Sequence, residues 1–161
     1  MIIRKVTIAD TEQLEKLINN FDNQNETYLT PQQIKYRVYK DLQKTIKNTA
    51  NEYINDPKYI VYVADDNGQL KGYIAGVINN KEERKYDKEG YLQDWYIEQD
   101  VQHLGIGKLL LNTLMQQFED SECTHVSLYT HVDNAKSIQI YEHLGFTKRH
   151  ITFFKPLKNI E

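Results

Sequence analysis

The chain has 161 residues, 40% of them hydrophobic and 27% charged, with a formal net charge of -3 at pH 7. That length predicts a single domain over residues 1–161 with a real core. The acidic balance argues against nucleic acid as the main partner, because no basic excess exists to neutralise phosphates. The single cysteine, Cys123, excludes an intramolecular disulfide and a cysteine-based zinc cluster.

No window approaches the ~18 consecutive apolar residues of a membrane span. The opening MIIRKVTIAD carries charge before any apolar core of signal-peptide length. A soluble, cytoplasmic protein with no membrane partner is expected.

Residues Ile2 to Ile8 alternate enough for a first strand. Asp10 reads as a helix N-cap with Gln13 as its capping partner, and Leu14, Leu17, Ile18 and Phe21 follow on one helical face. The polar run Asp22 to Glu26 is expected to break that helix. A stronger start follows, with Thr30 as cap, Pro31 at the first helical position and Gln33 closing the box. From there Ile34, Val38, Leu42 and Ile46 repeat every four residues, which predicts one long helix to about Tyr53. Tyr36 and Tyr39 on its flank either line a cleft or pad the edge of the core.

Asn55-Asp56-Pro57 ends the helix. Two dense strands follow, Tyr59 to Ala64 and Gln69 to Ile78, joined by Asp65-Asp66-Asn67-Gly68, a hairpin turn signal. Asn79 to Gly90 is charged and aperiodic. It reads either as a solvated loop or as a mobile flap that selects a substrate.

Tyr91 to Ile97 is rich in aromatic and β-branched residues and predicts a strand. Beyond it, Ile106, Leu109, Leu110 and Leu114 recur at helix spacing. Between the two lie Gly105 and Gly107. A strand entering a helix through a glycine-bearing turn can form an anion site, since the first helical N–H groups lack intrahelical partners and the macrodipole adds positive charge there. A tight turn with no ligand explains the same glycines equally well. The spacing is neither a dinucleotide fingerprint nor a P-loop. Cys123 precedes the next apolar strand and reads as a structural thiol rather than a nucleophile.

Thr124 to Thr130 alternates as a strand. Asp133 and Asn134 open a helix carrying Ile138, Ile140, Tyr141 and Leu144, which Gly145 closes as a left-handed cap. Phe146 to Phe154 is expected as a final strand. The order β–α–α–β–β–β–α–β–α–β predicts an α/β (α+β) fold, with helices on both faces of the sheet and at least one parallel βαβ step.

Gln102-His103-Leu104-Gly105-Ile106-Gly107 resembles the [QR]-x-x-G-x-[GA] motif of the GNAT superfamily of acyl-CoA N-acyltransferases. Asn134 to Phe146 is similar to that family's second signature, with an Asn at a helix start, a Tyr seven residues on and a closing Leu-Gly-Phe. Together, in this order and with a strand between them, they make the resemblance specific over nearly the whole chain. It implies a mostly antiparallel mixed sheet with a splayed parallel pair. It also implies acetyl-CoA as co-substrate, an amine as acceptor and no metal.

The resemblance carries residue roles with it. Main-chain N–H groups from His103 through Leu104, Gly105, Ile106 and Gly107 to Lys108 would cradle the pyrophosphate of coenzyme A. Lys108 is either an added point charge or simply solvated. His103 and Leu104 replace the small and basic residues usual in the motif, which implies weaker or more main-chain-dependent cofactor binding. The N–H of Trp95 would face the thioester carbonyl and Ile97 would pair with the pantetheine arm. Asn134 and Ser137 would lie near that arm, and Tyr141 would protonate the departing thiolate as general acid.

Period-two alternation predicts Tyr91, Gln93 and Trp95 on the cofactor-facing side of the strand, with Asp94 opposite. The strand is similar to that of the diamine acetyltransferase branch, except that Gln93 replaces a Glu. Glutamine cannot act as a base, so a water chain or a residue such as His131 is the fallback. A non-catalytic acyl-CoA-binding or sensor domain, and transfer of another acyl group, stay open as alternatives. The resemblance allows a homodimer, and no sequence feature fixes its interface.

Overall fold

A computed structural model describes residues 1–158. The chain divides into two compact units, Met1–Asp22 with Asp41–Tyr129, and Asn23–Lys40 with Thr130–Glu161.

The first unit holds a five-stranded sheet in the order β1-β2-β3-β4-β5. Its strands are β1 (Ile2–Lys5), β2 (Tyr59–Asp66), β3 (Gln69–Asn80), β4 (Lys88–Ile97) and β5 (His125–Leu128). All neighbours are antiparallel except β4 and β5. One face packs on helices α1 (Thr11–Glu26) and α3 (Leu42–Asn55) through Leu14, Leu17, Ile46, Ala50, Tyr53, Val61, Val63 and Tyr73. The other face packs on α4 (Ile106–Asp120) through Ile74, Leu92, Ile106, Leu110, Leu111, Leu114 and Phe118. Burial of the Val, Leu, Ile and Phe side chains among these contributes about 1.5–3 kcal/mol each. The mixed, mostly antiparallel sheet covered by helices on both faces is the expected fold class.

Local chemistry departs from the expected elements at several points. The first strand stops at Lys5, short of the expected Ile8, and Asp10 is not an N-cap of α1. Its carboxylate instead accepts from the N–H and hydroxyl of Thr7 and from both terminal guanidinium nitrogens of Arg4 at 2.8 Å. Arg4 Nε also donates to Asp65 at 2.8 Å, which ties β1 to β2. Gln13 likewise leaves the cap and bridges the hairpin turn, accepting from Leu70 N–H and donating to the Gly68 carbonyl. Polar residues do not stop α1, which runs to Glu26, since an exposed helical face tolerates them at a few tenths of a kcal/mol each.

The long helix expected from Thr30 is two helices, α2 (Pro31–Arg37) and α3. The capping box at Thr30 forms as read. Val38 then leaves helical geometry, and the Asp41 side chain caps α3 by accepting from Lys44 N–H at 2.9 Å. Aspartate serves better as a cap than inside a helix, and that preference overrides the apolar repeat running through it.

The β2–β3 hairpin turns at Asn67-Gly68, both at positive φ. The charged stretch expected as a loop from Asn79 is shorter, since β3 and β4 pair out to Asn80 and Lys88. The loop is residues 81–87, and its flank carries the buried carboxylate of Glu89, held by Lys81 at 2.8 Å and Ser127 at 2.7 Å.

The second unit contains α2 and α5 (Ala135–His143). No strand follows α5 among the described residues. Phe146 to Phe154 therefore does not form the expected final strand. Alternation there gives Phe146, Lys148, His150, Thr152 and Phe154 on one side and Thr147, Arg149, Ile151 and Phe153 on the other. Neither side is apolar enough to command burial, and Ile151 and Phe153 are 74% and 92% exposed. Tyr36 packs edge-on against Phe154 in this unit, and its hydroxyl donates to the Lys158 carbonyl.

Candidate active site

The motif Gln102 to Gly107 joins β4 to α4. After a short 3-10 turn at Gln99–Val101, His103 adopts φ 67° and Gly105 φ 81°, with Leu104 between them at negative φ. Positive φ on either side of Leu104 makes a tight turn of the kind that can bring main-chain N–H groups to an anion. It opens at the first turn of α4, where the unsatisfied N–H groups and the dipole add to it.

Gly105 is the N-cap and occupies the left-handed region itself. Histidine reaches that region at some backbone cost. His103, Leu104, Gly105 and Lys108 are exposed, and the donors offered to a ligand here are main-chain ones. Ile106 is buried and anchors the turn in the core. Leu109, expected on the buried face, is 52% exposed, and Leu111 is buried in its place.

Gly107 serves a different purpose from Gly105. A Cβ there would meet Trp95 Cζ2 at 3.2 Å and Ile97 Cγ1 at 3.6 Å. The missing side chain lets the first turn of α4 lie directly against the end of β4. Gln102 reinforces this junction by donating from Nε2 to the Ile97 carbonyl at 3.3 Å.

The parallel pairing of β4 with β5 ends at Leu92 opposite Leu128, while β4 continues to Ile97. The outer edge of β4 beyond Leu92 therefore has no strand paired to it among the described residues. Glu98 N–H donates to the Lys71 carbonyl of β3 at 2.9 Å. By alternation, the main-chain groups of Tyr96 point to β3 and those of Trp95 and Ile97 point to the edge that β5 no longer covers. That edge adjoins the N-terminus of α4.

The expected common face of Tyr91, Gln93 and Trp95 is overturned. Opposite β4, Ala75 pairs with Asp94 but the next residue, Gly76, pairs with Leu92, so Gln93 is the extra residue of a β-bulge. A bulge inserts one residue and inverts the phase of everything beyond it. Leu92 packs into the α4 core before the bulge, and Trp95 and Ile97 pack there after it. Tyr91 is thus on the face opposite Trp95, and Gln93 is exposed.

Asp94 does point away from α4, as expected. It accepts at Oδ2 from Tyr53 at 2.6 Å and from Tyr73 at 3.1 Å. Burial raises its carboxyl above the usual range against the pull of these two hydroxyls. The same burial, with the charge of Asp94, raises both tyrosines, so they stay protonated and donate. The sequence predicts only the face to which Asp94 points; its two partners come from α3 and β3.

In the second unit, Asn134 is 6% exposed and caps α5, its side-chain oxygen accepting from Ser137 N–H at 3.1 Å. Helix α5 ends as expected at Gly145. Gly145 N–H bonds the Glu142 carbonyl and Phe146 N–H bonds the Tyr141 carbonyl at 3.0 Å, the paired hydrogen bonds of a Schellman motif. The Phe146 ring meets Tyr141 edge-on at 6.0 Å. Burial pushes the Tyr141 hydroxyl up to about 12, so it is a proton donor throughout the neutral range. His131 stacks on Tyr28 at 6.2 Å, and burial together with the charge of Arg37 holds its imidazole below the ordinary value. The half-buried Cys123 thiol is raised by burial, away from a reactive thiolate.

Among the described residues no group of three or more His, Cys, Asp or Glu side chains is arranged to hold a metal ion, and no helix is long and apolar enough to cross a membrane.

Comparison with known proteins bears on these features. The chain is 29% identical over 100 residues to N-alpha-acetyltransferase 30 of Dictyostelium discoideum, a match covering 62% of this chain and 52% of that protein. The chain thus spans about half the length of that relative. Its fold is similar to a tetramutant of the BH1408 protein from Bacillus halodurans, at a TM-score of 0.82 and 17% identity over 98% of this chain and 100% of the other. It is also similar to an aminoglycoside N-acetyltransferase solved in complex with CoA, at a TM-score of 0.75 and 14% identity over 98% and 95% of the two chains. Residues 19–146, which include both motifs, match the model of one family. The chain belongs to the acetyltransferase (GNAT) family.

Proposed function

We propose that the chain is an N-acetyltransferase, one domain that moves an acetyl group from acetyl-CoA to a primary amine by direct attack. The observation that carries this reading is the junction of β4 and α4. There, a turn with two positive-φ residues at the N-terminus of α4 adjoins a strand edge that outlasts its pairing with β5. An anion and an extended arm are the two recognition problems that coenzyme A poses, and these features suit both.

The N–H groups from His103 to Lys108, with Gln102 bracing the turn against Ile97, hold the pyrophosphate. Each contact at a helix N-terminus favours an anion by ~0.3–2 kcal/mol. Ile97 pairs with the pantetheine arm as an added strand would, and the N–H of Trp95 polarises the thioester carbonyl as charge develops on it. Asn134 and Ser137 lie along the arm. Tyr141 gives its proton to the departing thiolate, for which its raised pKa keeps it protonated.

The acceptor is a small cationic amine or a peptide amine. The Dictyostelium relative is named for N-alpha-acetylation and a fold neighbour for aminoglycosides, so both classes belong in the test.

The test is calorimetric titration with acetyl-CoA, then thiol release with polyamines, aminoglycosides, amino acids and peptides, in wild type and Tyr141→Phe. Tight binding, amine-dependent release and a fall of about 10²–10⁴-fold in the variant are expected. Absence of acetyl-CoA binding would sink the reading. Binding without turnover on any amine would replace it with a binding or sensor domain.

A further inference from the structure

We propose that residues 147–158 dock the chain on the surface of a bilayer that contains anionic lipid. Ile151, Phe153 and Leu157 enter the interface, and Arg149, Lys155 and Lys158 meet the headgroups. The inference goes beyond the acetyl-transfer reading and does not rest on it.

The net charge of -3 conceals a division within the chain. The unit of residues 23–40 and 130–161 carries eight Lys and Arg against four Asp and Glu, and the other unit carries twelve against nineteen. The excess is sharpest near the end of the chain. From His143 to Lys158 there are four cations, Lys148, Arg149, Lys155 and Lys158, and no carboxylate. Lys148 reaches back to Glu142 at 2.9 Å, and the other three extend the cationic run past that pair. Like charges gathered on one segment repel one another, and an anionic surface relieves that repulsion.

The segment is held near both ends. At its start the Phe146 N–H bonds the Tyr141 carbonyl, and the Phe146 ring meets Tyr141 edge-on. Near its end the Phe154 ring meets Tyr36 of α2 edge-on at 5.4 Å, and the Tyr36 hydroxyl donates to the Lys158 carbonyl. These contacts face the body of the unit. The side chains left outward are apolar: Ile151 is 74% exposed, Phe153 92% and Leu157 90%. None of residues 147–158 is buried. Val38, two residues past Tyr36, is 75% exposed as well. A single large apolar side chain in water is ordinary, but a cluster this exposed on one short segment marks an interaction surface.

The order of residues selects the occupant. Apolar and cationic side chains are interleaved as Arg149, Ile151, Phe153, Lys155, Leu157 and Lys158, rather than gathered into the apolar stripe that a protein groove receives. At a bilayer that order is favourable. The apolar side chains enter below the headgroups, while the long stems of Lys and Arg keep their charges among them. A second copy docked through the same face would bring cations against cations. Single-stranded nucleic acid would satisfy the cations, but its bases stack on planar rings, which Ile151 and Leu157 lack. Each Lys or Arg near an anionic bilayer strengthens binding about fivefold, so a segment of this size attaches reversibly.

The experiment is flotation of the full chain with vesicles of phosphatidylcholine, with and without about 30% phosphatidylserine, at low and high salt. Wild type is expected to bind the anionic vesicles at least about tenfold better than the neutral ones, and to be released as salt rises. Arg149→Gln with Lys155→Gln is expected to weaken binding about 25-fold, fivefold for each cation. Phe153→Ser with Leu157→Ser is expected to weaken it at least about tenfold. In Phe153→Trp, the fluorescence beyond that of Trp95 is expected to shift to the blue on anionic vesicles. All four substituted side chains are exposed, so the melting temperature should stay near that of wild type.

Wild type that fails to float with the anionic vesicles at low salt overturns the proposal. So does flotation that survives both double substitutions, or an indole in Phe153→Trp that does not shift. If a double variant does not fold, the salt dependence of wild type and the Phe153→Trp spectrum still decide. Light scattering that finds wild type dimeric and Phe153→Ser with Leu157→Ser monomeric overturns the proposal and gives the face to a second copy. Binding of wild type to single-stranded RNA but not to vesicles overturns it in favour of nucleic acid.

Discussion

Gly107 and Trp95 are in contact across the junction of α4 and β4, with room for nothing between them. A Cβ at Gly107 would lie 3.2 Å from Trp95 Cζ2, closer than carbon atoms ordinarily pack. Gly107→Ala gains up to about 1 kcal/mol of helix propensity and loses about 1–3 kcal/mol to overpacking. The balance is a modest net loss of stability, and the indole must shift by a few tenths of an ångström, and with it the edge of β4. We expect a melting temperature within about 5 °C of wild type and a several-fold weaker acetyl-CoA affinity. Calorimetry on the two proteins decides it, and an unchanged affinity would show that the close contact serves packing alone.

Gly105 poses the opposite case. Nothing lies within 4 Å of a Cβ built there, so crowding plays no part, and φ 81° is the whole constraint. Gly105→Ala is expected to cost about 1–2 kcal/mol in urea unfolding and to weaken acetyl-CoA binding as the turn relaxes. Asparagine tolerates the left-handed region better, so Gly105→Asn should recover a good part of both. Equal losses in the two variants would mean that something other than backbone conformation is being read.

Several of these features were legible in the sequence for definite reasons. The Thr30 capping box, the Asn67-Gly68 hairpin and the Gly145 helix end are set by residues a few positions apart, and each formed as read. The bulge at Gln93 was not legible, because strict alternation assumes equal numbers of residues on both strands, and the extra one shows only in the pairing with Ala75 and Gly76. Asp10 looked like a cap because nothing local shows that Arg4, half-buried on β1, takes its carboxylate instead. The break before α3 did carry a signal, Asp41 directly before Leu42, but the four-residue apolar repeat masked it. Tyr53 and Tyr73 lie 41 and 21 residues from Asp94, and no local pattern links them.

The Arg4–Asp10 pair predicts an acid-dependent stability. Hydrogen bonds from Arg4, above all, hold the Asp10 carboxyl at about 2, below the 3.8 of an ordinary aspartate. A lowered folded-state pKa means that the unfolded chain binds the proton first. The contribution is therefore fully present above pH 3.8 and disappears as pH falls through about 2. Glu89, held at about 2 chiefly by Lys81, adds a second contribution over the same range. Denaturant melts between pH 2 and 5 should show stability rising with pH, and Asp10→Asn should flatten only part of the rise. A slope identical to wild type in that variant would mean that Asp10 gains nothing from Arg4.

Phe146 offers the last prediction, because it reaches Tyr141 in two ways at once. Its N–H holds the Tyr141 carbonyl at 3.0 Å, and its ring meets the Tyr141 ring edge-on at 6.0 Å. The residue two past a helix end commonly packs on the residue three from that end, so the helix cap here also orients the proposed general acid. An edge-on aromatic pair contributes about 0.5–1.5 kcal/mol beyond its buried area. Phe146→Ala keeps the main-chain bond and removes the ring contact, which leaves the Tyr141 side chain less fixed. We expect kcat to fall about tenfold while the KM for acetyl-CoA changes little, with Phe146→Tyr, which keeps the ring, near wild type. A role confined to stability would lower the melting temperature and leave kcat of the folded protein intact, so kinetics well below the melting point separate the two. If kcat holds in Phe146→Ala while Tyr141→Phe loses it, Tyr141 is oriented by the helix rather than by the ring.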